Sequence, residues 1–189
     1  MKHGYFLDIS SDTASDSSMP YVVFPIPYER TASFGKGTEL GPAAILNASH
    51  EVEDFDEELQ TEPAFKVQTL PAPTLNTENE ALALKEIEEI AIPHMTNSKF
   101  LLSLGGEHTI TAPLVEAAHS CFTDISVLQL DAHLDLRDSY EDNPLSHACV
   151  MKRIRDKNIP TVHCGTRSCS AQEFKYTQAA HIPIFWARD

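Results

Sequence analysis

The sequence predicts an α/β fold built on a mainly parallel sheet, and three observations carry that prediction. Tyr21-Val22-Val23-Phe24, Phe100-Leu101-Leu102-Ser103-Leu104 and Ile125-Ser126-Val127-Leu128 are short apolar runs, rich in β-branched or aromatic residues and nearly free of charge. Between them lie stretches with apolar residues at helical spacing, Ala81, Leu84, Ile87 and Ala91, and then Leu114 to Ala118. Alternating strands and helices require crossover connections, which place successive strands parallel. A chain of 189 residues is long enough for one sizeable α/β domain and short for two.

Residues 1–19 carry Ser11, Ser15, Ser17 and Ser18 among Asp8, Asp12 and Asp16, with little to bury, and read as a flexible arm ahead of a domain over 20–189. Tyr21 to Pro27 is the first strand. The loop from Thr31 to Gly37 follows, and a helix starts near Gly41-Pro42 with proline in its first turn. The Gly-x-Gly-x-x-x-Gly spacing is not a dinucleotide pattern, so this loop reads as one that shapes a pocket mouth rather than a nucleotide site. Glu51 to Leu59 reads as a short acidic edge strand. Thr77 with Glu80 offers a capping box for the next helix, which ends before Pro93. Pro113 opens another helix, in which His119 caps the end rather than ligating. A helix over Leu145 to Ile154 and strands at Thr161 to Gly165 and Ile182 to Trp186 complete the chain.

Composition narrows the function classes. Asp and Glu number 28 against 14 Lys and Arg, a formal net charge of -14 that repels nucleic acid and anionic membranes and serves either to steer a small cation or simply to keep the chain soluble. No run approaches the roughly 18 apolar residues of a membrane span, and no basic-then-apolar leader opens the chain, so a cytoplasmic location is expected. Cys121, Cys149, Cys164 and Cys169 form no Cys-x-x-Cys pair and read as reduced packing thiols.

The chemistry concentrates where hydrophobicity stops. Asp131, His133 and Asp135 follow the Ile125 run at alternate positions, so an extended backbone lines up three metal-competent groups at the C-terminal end of a strand buried on both faces. That edge is where open α/β sheets bind ligands. A second strand ends in Gly105-Gly106-Glu107-His108 and offers another carboxylate and imidazole. Three carboxylates and two imidazoles without a thiolate suit a hard to borderline divalent ion, Mn²⁺ ahead of Zn²⁺ or Fe²⁺. Carboxylates beside an apolar strand are costly unless something positive holds them. His147, at the start of a helix just past the metal strand, is placed either as an acid, base or proton carrier or as a simple helix-start hydrogen bonder.

Leu104-Gly105-Gly106-Glu107-His108, Asp131-Ala132-His133-Leu134-Asp135 and Ser146-His147-Ala148 resemble three signature motifs of the arginase/agmatinase (ureohydrolase) family. Gly35 to Leu46 and Gly165-Thr166-Arg167-Ser168 add fainter matches, so the resemblance covers almost everything from Tyr21 onward. It implies a three-layer α/β/α fold and two Mn²⁺ ions: His108 on one, Asp131 bridging both, His133 on the second, Asp135 completing the first. It also implies metal-assisted hydrolysis of a linear guanidinium to urea and an amine, with His147 helping to protonate the leaving amine. The Ser-His-Ala form is agmatinase-like, which points to agmatine and putrescine, with guanidinobutyrate or arginine as alternative substrates. The family forms symmetric oligomers.

Two parts of the family pattern do not occur. A Ser-x-Asp-x-Asp motif, whose aspartates complete the two-metal cage, is absent, as is a later substrate-holding glutamate. The expectation is a partial ureohydrolase domain lacking the last two, central strands, with apolar side chains beside the His108 and Asp131 strands facing water. This chain alone is expected to be inactive, with activity belonging to a full-length parent; the alternative is a non-catalytic truncated paralogue that binds metal weakly or pairs with an intact subunit.

Overall fold

The computed structural model describes residues 4–7, 9–63, 66–96 and 98–189, so residues 1–3 and 8 of the expected arm lie outside it. The strand pairs are parallel throughout, as predicted, in two three-stranded sheets. The chain folds as two compact units, one of Met1–Leu75 with Pro93–Glu107 and one of Asn76–Ile92 with His108–Asp189. Among the described residues no helix is long and apolar enough to cross a membrane.

In the first unit β1 (Tyr21–Ile26) lies between β2 (Val67–Thr69) and β3 (Phe100–Gly105). As the central strand, β1 is buried from Val22 through Ile26. Val23 and Val67 pack with Leu46 of the helix Gly41–Ala48, together with Phe6, Ile9 and Leu104. Pro42 opens that helix as expected, because its fixed φ fits a first turn that needs no N–H. The short β2 was not anticipated: Val67-Gln68-Thr69 has one apolar residue and no readable period.

Glu51 to Leu59 does not form the expected strand. The only pairing there is an isolated antiparallel bridge between Asp56 and Thr61, and the Asp56 carboxylate accepts the N–H of Glu58 and of Leu59 at 3.0 and 2.8 Å. That local turn competes with a ladder. Within the stretch read as an arm, Ser11–Ser15 is a helix capped by Ser10, Ala14 is buried, and Leu7 N–H donates to Ser49 Oγ at 2.8 Å.

The glycine loop binds a carboxylate of its own unit. Gly35 and Gly37 take φ of 74° and 111°, and the N–H groups of Gly37 and Glu39 donate to Glu29 Oε2 at 2.8 and 3.2 Å. Burial pushes the Glu29 carboxyl up, but these bonds and Lys36 outweigh it and hold it below the usual range.

Glu107 does similar work nearby. Only 5% exposed, it accepts N–H bonds from Arg30 at 2.6 Å, Thr31 at 2.6 Å and Ala32 at 3.1 Å, and the Thr31 hydroxyl at 2.5 Å. Glu107→Ala is expected to lower unfolding free energy by about 3 kcal/mol, since it orphans several donors to a charged acceptor. A denaturant titration that shows no shift would count against this anchoring.

In the second unit β4 (Val127–Leu130), β5 (Thr161–Thr166) and β6 (Ile184–Trp186) form the sheet in that order. The core joins Ala112 of the helix Thr111–Cys121, Val150, Met151 and Ile154 of the helix Val150–Asp156, and Leu134, Leu136, Ile159 and Ile182. The helix Glu80–Ala91 is capped by Asn79, whose side chain accepts Leu82 N–H at 3.1 Å, and not by Thr77. Asn76 Oδ1 ties down the N–H groups of Glu78 and Asn79, which displaces the helix start by two residues. Its buried stripe is Ala83, Leu84, Ile87 and Ala91, with Ala81 exposed. The helix Ala171–Ala179, not anticipated, starts in a Ser170/Glu173 capping box.

The Asp131 strand is not buried on both faces: β4 is an edge strand, and Leu128 and Leu130 are 62% and 75% exposed. Edge β3 likewise exposes Phe100 and Leu102, as the family resemblance, unlike the bare hydrophobicity of the runs, implied. The expected helix over Leu145 to Ile154 is instead a 3₁₀ turn, His147–Cys149, followed by Val150–Asp156.

Candidate metal centre

The polar segment after β4 is bent rather than extended. Asp131 N–H still pairs with Cys164 carbonyl at 3.0 Å, but the strand ends at Leu130, and Asp135 sits at φ 51°. The Ala132 carbonyl accepts the N–H of Arg167 and of Ser168 at 2.9 and 3.0 Å, so the Gly165–Ser168 stretch braces the turn. Asp135 carbonyl accepts Met151 and Lys152 N–H at 3.0 and 3.2 Å, and Leu136 N–H donates to buried Glu173 at 3.0 Å. The bend sends Leu134 and Leu136 into the core and turns Asp135 inward.

The result is a gathering of His108, Asp131 and Asp135, whose ligand atoms all lie within 4.8 Å of one another. His108 Nε2 is 3.4 Å from Asp135 Oδ2, while its Nδ1 lies 3.2 Å from Thr111 Oγ1. A histidine whose other ring nitrogen is hydrogen-bonded is the usual form of a metal ligand. Two oxygen donors and one imidazole at this spacing fit a divalent cation, and the cation in turn offsets two carboxylates held close together.

His133 stands beside this group rather than within it. Its Nδ1 is 3.6 Å from Asp131 Oδ1, its backbone N–H donates to the same oxygen at 2.8 Å, and its side chain is 64% exposed. The alternate-position alignment therefore fails for His133, because the backbone bends after Leu130. Glu107, counted with the ligand groups on sequence grounds, is committed to residues 30–32 and is not in the cluster. His147 is half-buried, with Nδ1 3.3 Å from Ser146 Oγ and its ring edge-on to Tyr140 at 5.8 Å. Its 3₁₀ turn packs against the His108–Ile110 turn. All four cysteines are free, and burial pushes the Cys149 thiol up.

Sequence reading missed the polar pair behind the cluster. Gln129 and His163 are register partners on β4 and β5, 6% and 0% exposed, and His163 Nδ1 lies 2.5 Å from Gln129 Oε1. A polar residue inside each apolar run, two positions before Asp131 in one case, was the available signal. Burial, followed by the neighbouring Arg155, pushes the His163 imidazole down to about 4, against the smaller pull of Asp135 and Asp131. The unfolded chain thus takes up the proton first. Stability from a neutral His163 is complete above about pH 6.5 and falls as pH drops toward 4, by on the order of 3 kcal/mol. His163→Gln is expected to flatten unfolding free energy across that window; an unchanged slope would show that another group carries it.

The arginase family's sequence model matches residues 19–189. The chain is 38% identical over 175 residues to the N(1)-aminopropylagmatine ureohydrolase of Synechocystis sp., covering 89% of this chain and 57% of that protein. It is 31% identical over 170 residues to the agmatinase of Bacillus cereus, covering 87% and 58%. The crystal structure of agmatine ureohydrolase of Thermoplasma volcanium superposes with a TM-score of 0.80 at 27% identity, over 96% of this chain and 60% of that one. The chain therefore spans somewhat over half the length of the relatives it matches. With the family pattern running from residue 19 to 189 and parallel α/β architecture beneath it, the chain belongs to the arginase family.

Proposed function

We propose that the chain carries a metal-dependent ureohydrolase site for a linear guanidinium compound, agmatine first, with urea and putrescine as products. The observation that supports this reading is the convergence of His108, Asp131 and Asp135. These residues would hold Mn²⁺, with His133, next to Asp131, a candidate ligand for a second ion. Such ions supply Lewis-acid activation of water near neutral pH. The protein's own part is to orient the donors, through Thr111 on His108, and to present His147 for proton delivery to the leaving amine. An acidic chain of net charge -14 draws the cationic substrate inward.

A second reading is favoured by exposed Leu128 and Leu130 on edge strand β4: a chain that holds metal without turnover, or that pairs with an intact subunit. Urea release from agmatine, arginine and guanidinobutyrate with Mn²⁺ supplied separates the two. Agmatine hydrolysis ahead of the others supports the first reading, arginine ahead of agmatine overturns the substrate, and no urea from any of them favours the second.

A further inference from the structure

A run of hydrogen bonds with a single sense ends on the Asp135 carboxylate. It starts at the guanidinium of Arg155, which can only donate and whose Nη1 lies 3.3 Å from Thr161 Oγ1. The Thr161 hydroxyl, having accepted there, directs its own proton to His163 Nε2 at 3.1 Å. His163 then carries its hydrogen on Nδ1 and donates to Gln129 Oε1 at 2.5 Å. With its oxygen committed, the Gln129 amide turns its NH₂ toward Asp135 Oδ2 at 3.0 Å, leaving the lone pair of His108 Nε2, 3.4 Å from the amide nitrogen, for a metal ion. Thr161, His163 and Gln129 are all buried, at 2%, 0% and 6% exposed. Apolar partners on neighbouring strands would fill this space without desolvating three polar groups. The run has one outlet, the Asp135 carboxylate.

We propose that Gln129 is a positioning residue of the metal centre, holding the Asp135 carboxylate in orientation, with His163 fixing which end of its amide faces it. A reversed amide would set its oxygen against the carboxylate, so the neutral Nδ1–H form of His163 is what makes the arrangement work. The assignment rests on the metal reading above and adds to it a residue that touches no ion.

The test is a titration of the 189-residue chain with Mn²⁺, followed by the electron paramagnetic resonance signal of the free ion, alongside metal-free unfolding midpoints. Gln129→Leu orphans the His163 N–H and loses stability, whereas Gln129→Leu with His163→Leu removes both partners and regains much of it. Both variants are expected to bind Mn²⁺ roughly 10- to 100-fold more weakly than the wild type, as for other outer-layer partners of metal ligands. A structural role alone predicts that affinity returns with stability in the double variant, and that result, or wild-type affinity in either folded variant, overturns the assignment. Mn²⁺ uptake absent from the wild type would overturn the metal reading and this assignment together; uptake by the wild type with unchanged variants would overturn this assignment alone.

Discussion

Asp135→Asn is expected to weaken Mn²⁺ binding by more than about 100-fold, beyond the loss seen when only an outer-layer partner of a ligand is removed. The metal-free fold should survive. The amide oxygen of the new side chain can still accept the Gln129 N–H now 3.0 Å from Oδ2, and the backbone bonds from Met151 and Lys152 to the residue 135 carbonyl do not involve the side chain. Removing one of two neighbouring carboxylates also relieves like-charge repulsion, so the metal-free unfolding midpoint should stay level or rise. Equal Mn²⁺ affinity in variant and wild type would remove Asp135 from the donor set; a collapse of the metal-free midpoint would make its role structural.

The second large effect is expected at Gly106. A Cβ built there falls 2.3 Å from Tyr28 O, 2.8 Å from Tyr28 N and 2.9 Å from Ile26 O, all of them backbone atoms. Those atoms are themselves fixed: Tyr28 N–H donates to Ile26 O at 2.9 Å and Glu107 N–H to Tyr28 O at 2.8 Å. No flexible side chain can yield, so the turn must open. Gly106→Ala is expected to destabilise the fold by about 3 kcal/mol, the upper part of the overpacking range, and more if the turn cannot relax. Because Glu107 and His108 follow directly, Mn²⁺ affinity should fall as well. A variant with the wild-type midpoint would show that the approach of this turn to Tyr28 is looser than described.

The gathering of candidate ligands was legible in the sequence wherever a residue type has few other uses. Asp131 and Asp135 at the end of an apolar run, and His108 after a Gly-Gly turn, are found together because strand ends deliver ligands whichever way the intervening chain bends. His133 was read from strict alternation, which holds only while the backbone stays extended; β4 stops at Leu130, and His133 ends at the margin. Glu107 looked like a ligand because a carboxylate beside a histidine resembles one, yet the N–H groups of residues 30–32, about 75 positions away in sequence, had the stronger claim on it.

Elements whose signal is local were read well, and those set by distant partners were not. Pro42 and the apolar period of Glu80–Ala91 located their helices, while the competition of Asn76 for backbone N–H groups moved the cap from Thr77 to Asn79. The three residues of β2 become a strand only because β1 offers them a ladder. Gln129 and His163 look like flaws in apolar strands until the register pairs them.

The most direct test of the account is the position of Mn²⁺ in crystals of the chain, read from anomalous scattering at the manganese edge. The predicted result is a peak bonded to His108 Nε2 and to carboxylate oxygens of Asp131 and Asp135. Manganese bound elsewhere, or no peak at these three residues under saturating Mn²⁺, would contradict it.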